Sequence, residues 1–213
     1  MNRIKVVAGL AAIILSTACM AESRSEAIGY LQKQWAVDNY QLTDKAQIKG
    51  FESLIKQADQ KISEHPDSAE LYIWRGIIKS TYAGAKGGLG ALKYAKAAKA
   101  DLEKALKLDA DSLQGSAYTS LGTLYFNVPG WPIGFGDDKK AEALLKKALQ
   151  INPEGIDSNY FYGDYLRSEK RYAEAKVYME KALQAKPRMG RPLADKGRRN
   201  EIRQALLDIE KRL

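Results

Sequence analysis

Few residues in this chain could carry covalent or metal chemistry. The sequence holds one histidine, His65, and one cysteine, Cys19, so a Ser-His-Asp triad could use only His65, and no cluster of His and Cys ligands can form. His65 stands before Pro66 at a helix end, where an imidazole ordinarily interacts with terminal carbonyls. Carboxylate pairs occur at Asp109 and Asp111 and at Asp137 and Asp138, but each lies beside a turn or helix start, where capping accounts for it. Gly84, Gly87, Gly88 and Gly90 around Lys86 offer the composition of a phosphate loop. No Lys-Ser or Lys-Thr pair follows them and no hydrophobic strand precedes them, so that reading fails. The sequence therefore predicts no catalytic residue, no metal and no cofactor, and leaves recognition by surface side chains as the chemistry to explain.

The ends of the chain bear on where that recognition takes place. Residues 1–21 have the three regions of a secretory signal: basic Arg3 and Lys5, an apolar run from Val6 to Leu15, and the small stretch Ser16 to Ala21. The run is too short for a hydrocarbon core that needs about 20 residues. Cleavage after Ala21 predicts a soluble periplasmic protein, with residues 22–213 as one domain. The alternative is a membrane-anchored lipoprotein acylated on Cys19, for which Ala18 fits and Ser16 does not. Neither form can make an intramolecular disulfide. Net charge is +8, and loss of the leader removes two basic residues and no acid, leaving +6. Residues 186–213 hold nine Lys or Arg against four acids, and no aromatic follows Tyr178, which argues against nucleic acid. The plain reading of this tail is a solvated basic helix; attraction to anionic headgroups or an acidic partner is the alternative.

Three stretches superimpose: Leu102 to Ala110, Leu145 to Pro153 and Met179 to Pro187. Each is a helix end followed by a turn, and upstream of each lies a second helix with a glycine in its middle, at Gly76, Gly122 and Gly163. Glycine inside a helix costs about 1 kcal/mol, so its recurrence predicts close packing. Taking Pro66, Ala110, Pro153 and Pro187 as equivalent gives periods of 44, 43 and 34 residues. On the last period, Tyr162, Gly163, Leu166, Tyr172, Ala175, Met179, Ala182 and Pro187 fall at the signature positions of the tetratricopeptide repeat, and the chain resembles that family. Tyr118, Leu121, Gly122, Tyr125, Ala141, Leu145, Ala148 and Pro153 match in the middle repeat. In the first, Gly76, Ala98, Leu102 and Ala105 match, while Ala110 replaces the closing proline and Arg75 stands where Leu is usual.

The resemblance covers residues 67–187 and implies an all-α superhelix of about nine helices. Before it, residues 22–66 carry two helical patterns, Glu26 to Val37 and Ala46 to Ile62. After it, Ile202, Ala205, Leu206 and Ile209 mark a basic capping helix within 188–213. The first and middle repeats exceed the family unit, and the excess is expected between the two helices of each. Tyr125 to Ala141 spans sixteen residues against nine from Leu166 to Ala175. The added segment, Val128 to Asp137, contains two prolines and three glycines that forbid a helix, with Trp131, Ile133 and Phe135 too apolar for an ordinary turn. Two roles stay open: the three large residues plug the solenoid, or they form a pocket wall. In the first repeat, the glycines of 81–90 are expected to let the two inserted loops lie close, with Tyr82 and Lys86 at their rim.

Such repeats imply a non-catalytic module that binds a protein, peptide or small ligand on a concave surface. The residues expected to bind are Tyr72, Tyr118 and Tyr160 on the first helices, with Tyr82, Lys86, Trp131 and Phe135. More loosely, compartment, size and the Gly136-Asp137-x-x-Lys140-Ala141 step are similar to the exported T-component proteins associated with TRAP-type uptake systems, which implies a periplasmic solute-binding protein as partner. A lipid-anchored envelope scaffold is the third reading, with membrane contact only through Cys19. Solenoid edges that pair would give a homo-oligomer.

Overall fold

Every element of the fold follows from a stripe of small and large apolar residues at helical spacing. The computed structural model describes residues 24–213; the expected leader and Cys19 lie outside them. The helices are α1 (24–40), α2 (Asp44–Glu64), α3 (Ala69–Lys86), α4 (Gly88–Leu108), α5 (Ser112–Asn127), α6 (Asp138–Ile151), α7 (Ile156–Ser168), α8 (Tyr172–Gln184) and α9 (Pro192–Glu210). Among the described residues there is no strand, only an isolated bridge between Gly130 and Gly136. Helices α3 and α4, α5 and α6, and α7 and α8 pack as antiparallel pairs that stack in chain order, the expected all-α superhelix.

The recurring glycines are explained by what faces them. A Cβ on Gly76 would lie 2.8 Å from Leu102 Cγ, and one on Gly122 2.7 Å from Leu145 Cγ; on Gly163 it would meet Met179 at 3.3 Å. In each pair the first helix yields a side chain so that a large residue of the second can press against its backbone. Leu102, Leu145 and Met179 are all fully buried. Arg75 leaves this register intact. It reaches sideways, donating to both Asp101 oxygens on α4 from Nε (2.9 Å) and Nη2 (2.6 Å), and to Asp59 on α2 at 2.7 Å.

The two insertions fold differently. Residues 81–86, expected in a loop, continue α3, and α4 starts at Gly88, so the first repeat spends its excess on longer helices. Ala83, Ala85 and Lys86 favour helix, and only Gly87 and Gly88, with φ of 61° and 64°, break it. No atom lies within 4 Å of a Cβ at Gly84, Gly87 or Gly88, so these glycines do not bring two loops together. Tyr82 is fully buried instead of lying at a rim. Its hydroxyl donates to Glu52 Oε1 at 2.6 Å and accepts from Lys86 Nζ at 3.2 Å.

The second insertion is a loop, as expected. Gly136 N–H donates to the Pro129 carbonyl and Asp137 N–H to the Tyr125 carbonyl. A Cβ on Gly136 would overlap the Val128 carbonyl oxygen, so a glycine is required where the two arms cross. Trp131 is 90% exposed and Ile133 69%, which removes both as a plug. Phe135 alone turns inward, edge-on to Tyr125 with ring centroids 5.5 Å apart.

Two core clusters run through the solenoid. One joins α1, α2 and α3 through Leu31, Trp35, Phe51, Leu54, Trp74 and Tyr82; the other extends from α3 to α9. Helix α9 belongs to both. Its Ala194 enters the first cluster while Ile202, Ala205 and Ile209 enter the second. Gly197 lies so close against the Tyr40 ring at the end of α1 that a Cβ would overlap it. The C-terminal helix thus crosses from the last repeat back to the first helix. Two of its three arginines depart from the solvated face the composition suggested: Arg199 donates to the Leu183 and Ala185 carbonyls at the end of α8, and Arg198 is 8% exposed, while Arg203 is exposed.

Candidate functional site: the concave groove

Because the first helix of each pair faces inward, α1, α3, α5 and α7 together line a concave groove of about 800 Å³ that α9 closes at one end. Gln32, Trp35 and Asn39 come from α1, Trp74, Ile77 and Thr81 from α3, Ser158 and Phe161 from α7, and Arg188, Arg191 and Arg198 from the closing segment. The two tryptophans meet edge-on with centroids 5.9 Å apart, and the Trp35 indole N–H donates to Thr81 Oγ1 at 3.0 Å.

Helix α5 supplies a polar stripe. Ser116, Thr119, Ser120 and Thr123 recur along one face of the helix and all line the groove. The Ser116 and Thr123 hydroxyls donate to the Leu113 and Thr119 carbonyls, which leaves their oxygen lone pairs as acceptors. Just before the stripe, Leu113, Gln114 and Gly115 form one left-handed turn, with φ of 48°, 55° and 73°. Such a conformation costs roughly 1–2 kcal/mol for each residue bearing a Cβ. It is held by the Asn152 side chain, which donates to Gln114 Oε1 at 2.9 Å, and Leu113 touches both core clusters.

The α9 end is electrostatically crowded. Asp157 accepts from Arg198 Nε at 2.9 Å and from Arg188 Nη1. Arg188 also holds Asp195 through Nε at 2.6 Å, and Arg198 pairs with Glu201. Burial alone would raise the Asp157 carboxyl, but the guanidiniums of Arg198, Arg188 and Arg191 outweigh it and hold it well below the usual carboxylate range. Arg198 is sandwiched against Tyr160 and Phe161, 4.3 and 4.5 Å from their ring centroids. Arg191 differs from both neighbours: it lies 5.1 Å from the Trp74 ring centroid and makes no side-chain hydrogen bond among the described residues.

None of the seven residues that the sequence suggested for binding lines this groove. Tyr72 is half-buried beneath Arg75, 5.4 Å away. Tyr118 is half-buried on α5, outside the Ser/Thr stripe. Tyr160 borders a second hollow of about 610 Å³ between Tyr40, α7 and α9; burial pushes its hydroxyl up to about 12. Tyr82 is buried under Lys86, and Trp131 and Phe135 sit on the α5–α6 loop. The groove is signalled instead by the Ser/Thr stripe, four small hydroxyl residues on one face of α5. His65 is the buried C-cap of α2, and among the described residues no group of three or more His, Cys, Asp or Glu could hold a metal ion.

The fold and groove define an all-α helical-repeat superhelix with a concave recognition face. Residues 89–112 and 156–189 match the family model of the tetratricopeptide repeat. The chain is similar in structure to TTC0263, a thermophilic TPR protein in Thermus thermophilus, with a TM-score of 0.56 and 16% identity over 86% of this chain and 99% of that one. It also aligns with the MamA crystal structure at a TM-score of 0.45 and 22% identity, over 77% of this chain and 89% of that one. No curated protein sequence matches it. Repeats of this kind generally act as non-catalytic scaffolds for protein or peptide partners.

Proposed function

We propose that this chain is an exported, non-catalytic binding module that holds a segment of a protein or peptide partner in its concave groove. The observation that carries this reading is the groove itself: four inward-facing helices line a hollow of about 800 Å³ with a rigid aromatic wall at Trp35 and Trp74 and hydroxyl acceptors along α5. Such a hollow matches the size of known recognition sites, and its walls are held by core packing, which keeps the ordering cost of binding low. Periplasmic location rests on the leader. The step from Gly136 to Ala141 that resembles T-component proteins serves here as the N-cap of α6, with Asp137 Oδ1 accepting from Lys140 N–H at 3.0 Å, so it does not itself select a solute-binding protein.

Two measurements test the reading. Random peptides are selected on the immobilised mature protein, and the enriched sequences are titrated against wild type and Ser120→Trp, which fills the groove from the half-buried side of α5. Binding lost in the variant, with its thermal melt unchanged, is the expected result; equal binding to both proteins would remove the groove as the site. Intact mass of the protein from envelope fractions then separates a chain beginning at Glu22 from one acylated on Cys19.

A further inference from the structure

Both insertions enlarge the same edge of the solenoid. Successive helices alternate in direction, so the α3–α4 turn and the α5–α6 loop emerge side by side. Lys99 of α4 joins them, its Nζ 5.7 Å from the Phe135 ring centroid and 6.0 Å from that of Tyr125. Helix α4 begins at Gly88, eleven residues earlier, and at about 1.5 Å per residue its start projects roughly 16 Å beyond that contact. Residues 81–100, which form this projection, hold four lysines and no acid. The adjoining loop and helix start, 128–140, add two lysines and two aspartates, and Asp137 is spent as the N-cap of α6. Six lysines against two acids give this edge a local excess of +4 within a chain of net +8. Lys93, Lys96, Lys139 and Lys140 are exposed and make no ion pair among the described residues.

From this basic edge stands an uncharged apolar tip. Residues 128–136 contain no charged side chain, and Pro129, Trp131, Pro132 and Ile133 are all exposed. The tip is nonetheless ordered from within. The Ile133 and Gly134 N–H groups both donate to the Gly130 carbonyl at 3.1 Å, and Gly136 N–H donates to the Pro129 carbonyl at 3.0 Å. Phe135 pins the returning arm to Tyr125. An exposed Trp beside an exposed Ile on such a frame does nothing for the fold and marks a contact surface, and little conformational freedom is left to lose when it is covered.

We propose that this tip docks the protein peripherally on an anionic phospholipid bilayer, Trp131 and Ile133 entering the interfacial layer while the neighbouring lysines lie over the headgroups. Two quantities select a bilayer over a protein surface. An aromatic side chain buries about 150–250 Å², so Trp131 and its neighbours fall short of the roughly 800 Å² per partner that a stable protein interface or a dimer needs. Interfacial insertion has no such threshold: indole rings favour the headgroup level, and each lysine near an anionic surface strengthens attachment about fivefold. The apolar tip in turn selects a bilayer over a soluble polyanion, which would engage the lysines and leave Trp131 in water. Among the described residues no helix is long and apolar enough to cross a membrane, so the contact is confined to the surface. The inference is independent of the groove and of the state of Cys19.

The test mixes the mature chain from Glu22, which lacks Cys19, with vesicles of phosphatidylcholine alone or of phosphatidylcholine with phosphatidylglycerol. Co-sedimentation gives the affinity, and tryptophan emission with and without brominated acyl chains reports where Trp131 goes. The expected result is binding to the mixed vesicles that weakens with salt, with a blue shift and bromolipid quenching that disappear in Trp131→Phe, where only buried Trp35 and Trp74 emit. The double variant Trp131→Ala, Ile133→Ala should bind at least about tenfold more weakly, and Lys93→Gln with Lys96→Gln roughly twentyfold more weakly. All four side chains are exposed, so both variants should melt as wild type does. No attachment to the mixed vesicles would overturn the proposal, as would attachment that the Trp131, Ile133 variant leaves unchanged, since adsorption would then use another basic face. Equal binding to both kinds of vesicle would overturn the choice of anionic lipid. A concentration-dependent dimer that Trp131→Ala abolishes would put a second copy on the tip instead, and a blue shift with soluble polyglutamate equal to that with vesicles would put an acidic protein chain there.

Discussion

Gly122 on α5 and Leu145 on α6 occupy each other's space: the Cβ that Gly122 lacks would sit 2.7 Å from Leu145 Cγ and 3.2 Å from the Ala141 carbonyl. Alanine there should gain about 1 kcal/mol in helix propensity and lose more to overpacking against a fully buried leucine and a fixed backbone oxygen. Gly122→Ala is expected to destabilise the protein by about 1–3 kcal/mol net in urea unfolding. Gly163→Ala meets the Ala175 carbonyl oxygen and a flexible methionine, both at 3.3 Å rather than 2.7 Å, and should cost less than Gly122→Ala. A larger loss at Gly163 than at Gly122 would contradict this account of the repeat.

Asp157 should govern the acid limb of stability. Its folded pKa is depressed, against an unfolded value of about 3.9, so the stability it contributes is fully present above the unfolded value and is lost as pH falls towards and through the lower folded one. Asp157→Asn should cost about 2–3 kcal/mol at pH 7, because it leaves Arg198 and Arg188 short of a counter-ion. The cost should shrink steadily as wild type is acidified below about pH 4. Chemical unfolding at several pH values reads the difference, and a penalty that does not vary with pH would show that Asp157 acts by shape rather than charge.

Trp131 and Phe135 stand on one loop and should behave oppositely. Trp131→Ala should change unfolding free energy by less than about 0.5 kcal/mol, the range of ordinary surface substitutions, and should remove the solvent-exposed component of tryptophan fluorescence, leaving buried Trp35 and Trp74. Phe135→Ala should cost about 1–3 kcal/mol through loss of its contact with Tyr125. Calorimetry and emission spectra on the two variants check both statements.

Tyr82→Phe isolates the hydrogen bond to Glu52 from the packing of the ring. Its loss should cost about 1 kcal/mol, whereas Tyr82→Ala, which empties a fully buried site, should cost about 3–5 kcal/mol. Thermal unfolding separates the two.

The repeat register is legible because it is written in residue size. Gly76, Gly122 and Gly163 each face a specific large residue, and nothing but a close helix contact requires a glycine at such a spacing. The first insertion is not legible in the same way, because glycine content alone does not distinguish a loop from a long helix: Gly84 is tolerated inside α3, and only the Gly87-Gly88 pair, in the left-handed region, interrupts it. The groove is harder to see. Its residues come from α1, α3, α5, α7 and α9, and no local spacing in the sequence reports that α9 folds back to Tyr40. Aromatic content draws attention to Tyr72, Tyr118 and Tyr160, whereas the inner surface of α5 is marked by small hydroxyls, which is what a helix presents when it must leave room beside it.

The contact of Gly197 with Tyr40 alters how the molecule should come apart. In an open array each unit touches only its neighbours, and unfolding frays inwards from either terminus. Here the last helix is clasped to the first described one, so among the described residues the two ends of the array hold each other. Releasing α9 exposes core at the beginning and the end of the array at once, which should raise the cost of partial unfolding and favour a single melting transition.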